Sequence, residues 1–235
     1  MRLNQFIAHA GVCSRRKADI LIAQGSIRVN GIMAKHPSIQ VKDSDQVTYQ
    51  GRLLEQEEKV YWMMNKPTNS ITTLDDEQNR KTVKSYLPKN SQLPRVYPVG
   101  RLDRNTTGLL LLTNDGYLAK SLAHPSQGIN KTYEVLLNRA LTKNDLESIK
   151  KGLRLEDGIA SVDAIYPSNT SYKRFLLQLH SGKNRIIRRI FDKLNHRILA
   201  LDRIEYAGLR LGSLSRGQTR RLTKKEVKSL YHQVK

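Results

Sequence analysis

A single carboxylate stands in the most unusual segment of this sequence, GRLDRNTTGLLLLTNDG, which runs from Gly100 to Gly116. Asp103 lies between Arg101 and Arg104, shortly before a run of four leucines. On a protein surface, an acid between two cations forms an ion pair that contributes less than about 1 kcal/mol. Apolar residues flank this acid on both sides, however, so we expect Asp103 to stand next to buried structure as a candidate reactive group.

Other reactive equipment is scarce in the sequence. The six histidines show no metal-ligand spacing, and the single cysteine, Cys13, cannot build a zinc site. The sequence contains no phosphate-binding P-loop, no GxGxxG dinucleotide fingerprint and no GxSxG nucleophile elbow. The groups that remain for chemistry are one carboxylate, basic side chains and tyrosines.

A second candidate segment, SGKNRIIRRIFDKLNHR, follows the strand-like run FLLQLH. Arg185, Arg188 and Arg189 are three and four residues apart, which predicts that they share one face of a helix, opposite an isoleucine-rich face. The turn at Gly182 leaves main-chain amides free at the start of this helix, where anions bind readily. An ordinary surface helix with an arginine-rich outer face explains the same pattern.

The charge of the chain indicates its class of partner. The 235 residues include 41 lysines and arginines against 21 aspartates and glutamates, a net charge of +20 that is spread along the whole chain. In a folded protein such an excess favours a polyanionic partner, and nucleic acid is the commonest one. We therefore expect an RNA- or DNA-binding protein.

The sequence also predicts a compartment. One cysteine rules out an internal disulfide and suits a reducing cytoplasm. No apolar run approaches the roughly 20 residues that cross a bilayer, and polar residues interrupt the N-terminal segment where a signal peptide has its apolar core. We expect a cytoplasmic protein with no membrane partner.

The elements that must position these residues begin with a small module over residues 1–55. RLNQFIAHA has the apolar spacing of a helix, and Ser14 is a suitable N-cap for a second helix that ends near Ala23. SIRV, the turn Asn30–Gly31 and IMAK then form a predicted β-hairpin. The charged connector EQEEK ends this module.

Arg15, Arg16 and Lys17 occupy the first turn of the second predicted helix. The helix dipole disfavours cations at this end by a few tenths of a kcal/mol each, on the order of 1 kcal/mol in total. Long side chains that splay into water explain one such residue, but three in succession indicate a cradle for phosphate.

The larger predicted domain covers residues 60–235. Short strand-like runs alternate with turns and two or three helices, which predicts an α+β fold. The leucine run reads as a buried strand, and KTYEVLL alternates as another, which carries Tyr133. Asp115 is a predicted helix N-cap, so we do not pair it with Asp103. Residues 141–152 form a predicted amphipathic helix.

These motifs together resemble a known family. GRLDRNTTGLLLLTNDG, KTYEV and SGKNRIIRRIF are similar to segments of the bacterial ribosomal-RNA pseudouridine synthases of the RsuA type. GVCSRRKAD and SIRVNG resemble the S4 RNA-binding domain, and NTTGLLLLTNDG, AHPS and LEDG favour the branch that modifies 23S RNA. The resemblance implies an S4-like domain followed by a catalytic domain built on a mixed, largely antiparallel sheet flanked by helices.

The resemblance also implies a reaction without metal or organic cofactor. A uridine is converted to pseudouridine when its base leaves the ribose through N1, turns and rejoins through C5. Asp103 matches the essential aspartate, which acts as a nucleophile or as a base at C2′. Tyr133 matches the tyrosine that stacks on the base and removes the C5 proton. Arg188 matches a basic residue that pairs with the aspartate and keeps it ionised in a dry site.

The remaining matches concern RNA. The target base must leave its stack, at a cost of a few kcal/mol, about the price of unpairing one base. Arg101 or Arg104 then fills the stack or grips the backbone, while Lys183 and Arg185 contact phosphate. Arg15, Arg16 and Lys17 hold structured RNA. The expected partner is ribosomal RNA or a partly assembled ribosomal subunit, bound by a monomer. The alternative is a noncatalytic RNA-binding or ribosome-assembly factor on the same scaffold.

Overall fold

The computed structural model describes residues 1–88, 94–168 and 171–234. The chain divides into two compact units. The first includes Met1–Lys59, and the second holds the chain from Val60 onward, except for Pro94 and Arg95, which group with the first. No helix of the described residues is both long and apolar enough to cross a membrane.

The first unit consists of two helices and a small antiparallel sheet with the strand order β2-β1-β3-β4. Its elements are α1 (Leu3–His9), α2 (Arg15–Ala23), β1 (Ile27–Val29), β2 (Ile32–Met33), β3 (Val47–Tyr49) and β4 (Arg52–Leu53). The Ser14 side chain accepts a hydrogen bond from the Lys17 amide, so the predicted N-cap is confirmed. Apolar residues from both helices and the sheet form the core, among them Leu3, Ile7, Ala18, Ile22, Ile27 and Val47.

The second unit is built on a mixed sheet. Its strands are β5 (Tyr61–Lys66), β6 (Tyr97–Pro98), β7 (Thr107–Thr113), β8 (Lys131–Leu137), β9 (Leu153–Leu155), β10 (Gly158–Ala160), β11 (Ala164–Pro167), β12 (Arg174–Leu179), β13 (Ile198–Tyr206), β14 (Leu209–Arg210) and β15 (Thr219–Arg221). Its helices are α3 (Gly116–Ala123), α4 (Lys143–Lys151), α5 (Ile186–Lys193) and α6 (Lys224–Gln233), with short 3-10 turns at Val83–Tyr86 and Pro125–Gln127.

The main sheet has the strand order β11-β12-β8-β13-β7-β5-β15, with β14 beside β13 and β6 beside β7. The β13–β7 pair is parallel and the other pairs are antiparallel. A separate hairpin is formed by β9 and β10. The predicted α+β fold on a mixed, largely antiparallel sheet is therefore confirmed.

The leucine run is apolar on both sides because helices cover both faces of β7. Leu109 and Leu111 pack with residues of α3 and α6, while Leu110 and Leu112 pack with residues of α4 and α5. A strand buried on both faces has no solvent side and needs no polar alternation. The loop that carries Asp103 enters the sheet at the start of this strand, so its position is fixed by the core.

Two predicted helices begin later than expected. The helix predicted over residues 141–152 begins at Lys143, since Thr142 and Asp145 form a capping box there. The arginine-rich helix α5 begins at Ile186, because Arg185 adopts a left-handed backbone conformation with φ of 47°. The prediction that Arg185 shares a helical face with Arg188 and Arg189 is therefore wrong.

Candidate active site

Asp103 lies in the loop between β6 and β7. The side chain of Lys66 holds this loop by hydrogen bonds to its main chain. Lys66 is the last residue of β5 and is fully buried. Its ammonium donates to the main-chain carbonyls of Asp103 at 3.1 Å, Arg104 at 3.3 Å and Thr106 at 2.9 Å, and to Pro67 at 3.2 Å. Burial lowers the pKa of Lys66 to about 8, although the nearby Asp103 carboxylate opposes this shift.

A second contact fixes the residue before the aspartate. The hydroxyl of Thr72 donates to the Leu102 carbonyl at 2.6 Å and accepts from the Leu102 amide at 3.2 Å. The Thr106 amide donates to the Asp103 carbonyl at 3.1 Å, which closes a turn. The main chain on both sides of Asp103 is thus tied to buried groups, so the position of its backbone is set by the fold.

The Asp103 carboxylate faces Arg188 of α5. Arg188 Nε lies 3.4 Å from Asp103 Oδ2, and Arg188 Nη2 donates to the hydroxyl of Thr106 at 3.3 Å. Both contacts are longer than a typical N–H···O bond of about 2.9 Å. The side chain of Asp103 is 39% exposed and that of Arg188 is 18% exposed. The expectation of a dry site is therefore wrong for the carboxylate, because more than a third of the Asp103 side chain is exposed to solvent.

These two side chains line a pocket of about 180 Å³. A cavity of roughly 150 Å³ accommodates a benzene-sized ring, so this one suits a single nucleobase. Tyr133 of β8 belongs to the same lining and is 9% exposed. The structure thus brings Asp103, Tyr133 and Arg188 together in one pocket.

The pocket is also lined by three groups that the sequence did not single out, Lys131, Arg203 and Tyr206. Arg203 is buried, its Nε donates to the Leu109 carbonyl at 2.8 Å, and its guanidinium lies 4.5 Å from the Tyr206 ring centre. Burial lowers the pKa of Lys131 to about 8 and raises the pKa of Tyr206 to about 12. Lys131 is far in sequence from Arg203 and Tyr206. The three can be recognised as parts of one site only when the pairing of β8 with β13 is known.

The predicted RNA-contacting residues divide into several sets. Arg101, Lys183 and Arg185 line the pocket. Arg104 lies outside this lining, and its Nε donates to the Asn69 side chain at 2.7 Å. Lys183 already has a hydrogen-bond partner within the chain, because its Nζ donates to the Asp157 carbonyl at 2.9 Å.

The three residues of the first unit that are predicted to contact RNA lie in the predicted helix. Arg15, Arg16 and Lys17 form the first turn of α2 and are exposed. No acidic side chain stands in this turn to balance them. They present a compact positive surface at a helix N-terminus, an arrangement that suits an anion.

Asp115 has a structural role. It is 2% exposed, its side chain accepts from the Leu118 amide at 3.2 Å, and it also accepts from the hydroxyls of Tyr61 and Tyr231. It caps α3 and joins that helix to α6. The decision not to pair it with Asp103 agrees with this role. Within the described residues, no group of three or more His, Cys, Asp or Glu side chains is arranged to hold a metal ion.

Comparison with known proteins shows the family of the chain. Residues 60–193 match the RNA pseudouridylate synthase family, and residues 1–47 match the S4 domain. The ribosomal large subunit pseudouridine synthase B of Bacillus subtilis is 42% identical over 97% of this chain and 95% of its own length. An RNA pseudouridine synthase of Aquifex aeolicus is 36% identical over 100% of this chain and 95% of its own length.

A solved structure shows the same fold. The crystal structure of a pseudouridylate synthase superimposes with a TM-score of 0.69 at 27% identity, over 98% of this chain and 99% of that one. The similarity spans both units, and the resemblance predicted from the motifs is confirmed. The chain therefore belongs to the RNA pseudouridylate synthase family and carries an S4 domain at its N-terminal end.

Proposed function

We propose that this protein converts a uridine of ribosomal RNA, in the 23S RNA of the large subunit, to pseudouridine. The observation that carries the proposal is the contact of Asp103 with Arg188 at 3.4 Å in a base-sized pocket that Tyr133 also lines. The target RNA is inferred from the similarity to the large-subunit synthase of Bacillus subtilis, at 42% identity over 97% of this chain.

The proposed reaction is an isomerisation that needs one well-placed carboxylate. Asp103 attacks the nucleoside, forming a bond that breaks again when C5 bonds to C1′, or it removes a proton at the ribose C2′ that returns to C2′ at that same step. In both cases the bond from N1 to C1′ breaks. The freed uracil turns within the pocket and bonds to C1′ through C5. C5 then loses its proton and N1 gains one, so the product has the atoms of the substrate. We propose that no metal or organic cofactor takes part, because every step is a bond exchange or a proton transfer.

The two other site residues have distinct proposed roles. Arg188 holds the Asp103 carboxylate toward the pocket through the contact of its Nε with Oδ2 at 3.4 Å. Tyr133 stacks on the base and accepts the C5 proton. Its place on β8, between Leu177 of β12 and Arg203 of β13, keeps the ring on the pocket side of the sheet.

RNA is held by both predicted domains, 1–55 and 60–235. We propose that Arg15, Arg16 and Lys17 contact the phosphates of structured RNA, and that Lys183 and Arg185 contact the phosphates beside the target. Arg101 or Arg104 occupies the stack when the base turns out. The protein acts as a monomer in the cytoplasm, on ribosomal RNA or a partly assembled subunit.

The target is tested by mapping pseudouridine in the ribosomal RNA of cells with and without the gene. We expect one uridine of 23S RNA to lose its modification in the deletion strain and to regain it when the gene is restored. A lost site in 16S RNA would correct the subunit. An unchanged map, together with no release of tritium from C5-labelled ribosomal RNA by the pure protein, would contradict the proposed function.

A further inference from the structure

The hairpin of β9 and β10 places a carboxylate in contact with α5. Asp157 stands in the turn between the two strands, and its carboxylate accepts from both terminal nitrogens of Arg189. The two distances are 2.9 Å from Nη1 to Oδ1 and 3.1 Å from Nη2 to Oδ2. A forked pair of this kind fixes the direction of a guanidinium as well as its distance. An Asp-Gly turn alone does not require this contact, so the pairing adds to the turn.

Arg189 is the neighbour of Arg188 in α5. Successive residues of a helix point about 100° apart around its axis, so a helix held at one residue cannot turn at the next. The direction of the Arg188 side chain therefore depends on how firmly Arg189 is held. Asp157 holds Arg189, whose side chain points about 100° away from that of Arg188 around the helix axis.

The contacts of Arg188 are too weak to set the rotation of α5 by themselves. They measure 3.4 Å to Asp103 and 3.3 Å to Thr106, against 2.9 Å and 3.1 Å for the Arg189 pair. The helix also begins without a side-chain cap, because Arg185 adopts a left-handed conformation there. The apolar face of α5 is held in the core by four buried side chains, Ile186, Ile187, Ile190 and Phe191. The Arg189 pair is a polar anchor in addition to this packing.

The same hairpin holds the segment before α5. Lys183 Nζ donates to the main-chain carbonyls of Asp157 at 2.9 Å and Ile159 at 3.4 Å. The hairpin is itself anchored in the core, since Ala160 is buried and Leu153 and Leu155 pack against the cluster that contains α5. The two strands of the hairpin are therefore anchored in the core, while Asp157 in the turn between them is 46% exposed.

We propose that Asp157 is a positioning residue: through Arg189 it stabilises the polar face of α5, whose apolar face the core already holds, and so keeps the Arg188 guanidinium against Asp103. The inference rests on the proposed function, because it assigns Asp157 to the support of the same site. Asp157 does not touch the reacting atoms, and its removal changes the placement of Arg188 without removing any group from the pocket.

Kinetics of four variants test this role. We expect Asp157→Ala and Arg189→Ala each to lower kcat about 10-fold to 100-fold, the range that a small misplacement of a catalytic group produces. KM should change less than kcat, because the Asp157 carboxylate also lies 3.9 Å from Nζ of the pocket-lining Lys183 and its removal acts on binding as well. The double variant should lose no more than either single one. The control Glu156→Gln, an exposed acid in the same turn, should keep wild-type kcat.

A charge exchange and a spectroscopic signal separate positioning from other roles. Asp157→Arg combined with Arg189→Asp should restore most of kcat, because it rebuilds the pair in reverse. The Arg188 Nε–H resonance should shift in Asp157→Ala and stay in place in Glu156→Gln. An unmoved resonance, additive losses in the double variant, or tighter RNA binding with unchanged kcat would overturn the inference. Inactivity of the wild-type protein counts against the proposed function instead, while the resonance still decides the role of Asp157.

Discussion

The ammonium of Lys66 lies 3.1 Å from the main-chain carbonyl oxygen of Asp103, beneath the loop that presents the Asp103 carboxylate to the pocket. A lysine has three N–H donors, and this one finds four carbonyl acceptors within 3.3 Å. The cation therefore organises the loop through its backbone, at the cost of burying a charge.

Lys66→Met tests this support. The substitution keeps the apolar stem but leaves buried carbonyls without a donor, which costs about 1–3 kcal/mol. We expect the free energy of unfolding to fall by about that amount and tritium release to fall further, because the Asp103 loop loses its anchor. Denaturant titration measures the first effect. Lys150→Met, on the exposed last turn of α4, is the control and should change neither.

Two lysines, the buried Lys66 and the partly buried Lys131, predict a rise in stability at alkaline pH. Burial lowers the pKa of Lys66 and of Lys131 to about 8 from an ordinary value of 10.5. Between these values the unfolded chain binds more protons than the folded one, so stability rises with pH, by up to about 1.4 kcal/mol per pH unit for each group. The free energy of unfolding, measured from pH 7.5 to 9.5, should rise less steeply in Lys66→Met and in Lys131→Gln. Curves parallel to the wild type would contradict these pKa shifts.

Gly108 is predicted to be irreplaceable where β7 meets β13. Its φ is 105°, and an added Cβ would collide with the Arg203 carbonyl and the Asp202 side chain and lie 2.6 Å from the Arg203 nitrogen. The parallel pair of β7 and β13 must then open, so Gly108→Ala should cost more than about 2 kcal/mol. Gly212→Ala is the matched control. It also has a positive φ, of 58°, but its Cβ would meet nothing within 4 Å, so a loss of about 1 kcal/mol is expected. Equal losses would show that the close approach of the strands is unimportant.

The first turn of α2 should act on RNA binding and not on chemistry. Replacing Arg15, Arg16 and Lys17 with glutamine removes up to three phosphate contacts, so the slope of log affinity against log salt should shrink by about 2–3. Saturating kcat should hold, and the fold should be unharmed because cations oppose the dipole of this helix end. A control changes Lys224, Lys225 and Lys228 of α6 to glutamine, with the same loss of charge. If both triple variants changed the salt slope by a similar amount, the first turn of α2 would have no specific role in RNA binding.

Much of the fold could be predicted from local patterns. The S4-like module followed from Ser14 as a cap and from Asn30–Gly31 as a turn, and both are local choices of residue. The leucine run predicted a buried strand because polar alternation was absent. Asp103 stood out in the same way, as a polar residue beside an apolar run.

The rest of the site depends on contacts between distant segments. In the sequence, Lys66 resembles an exposed lysine at the end of a strand, because the residue type does not show whether a lysine is buried. Arg185 lies outside the predicted helical face because its φ is positive. Its residue type does not predict that conformation. The pairing of Asp157 with Arg189 joins a hairpin to a helix 32 residues away. Such contacts become visible only when the chain is folded.

The most direct test of the central claim is tritium release from C5-labelled ribosomal RNA by the wild-type protein and by Asp103→Asn. The amide keeps the size of the side chain but has no negative charge with which to attack the nucleoside or take a proton. We predict release by the wild type without added metal, and none by the variant, while RNA affinity and thermal stability remain those of the wild type. Turnover by Asp103→Asn would contradict the assignment of the reaction to this carboxylate.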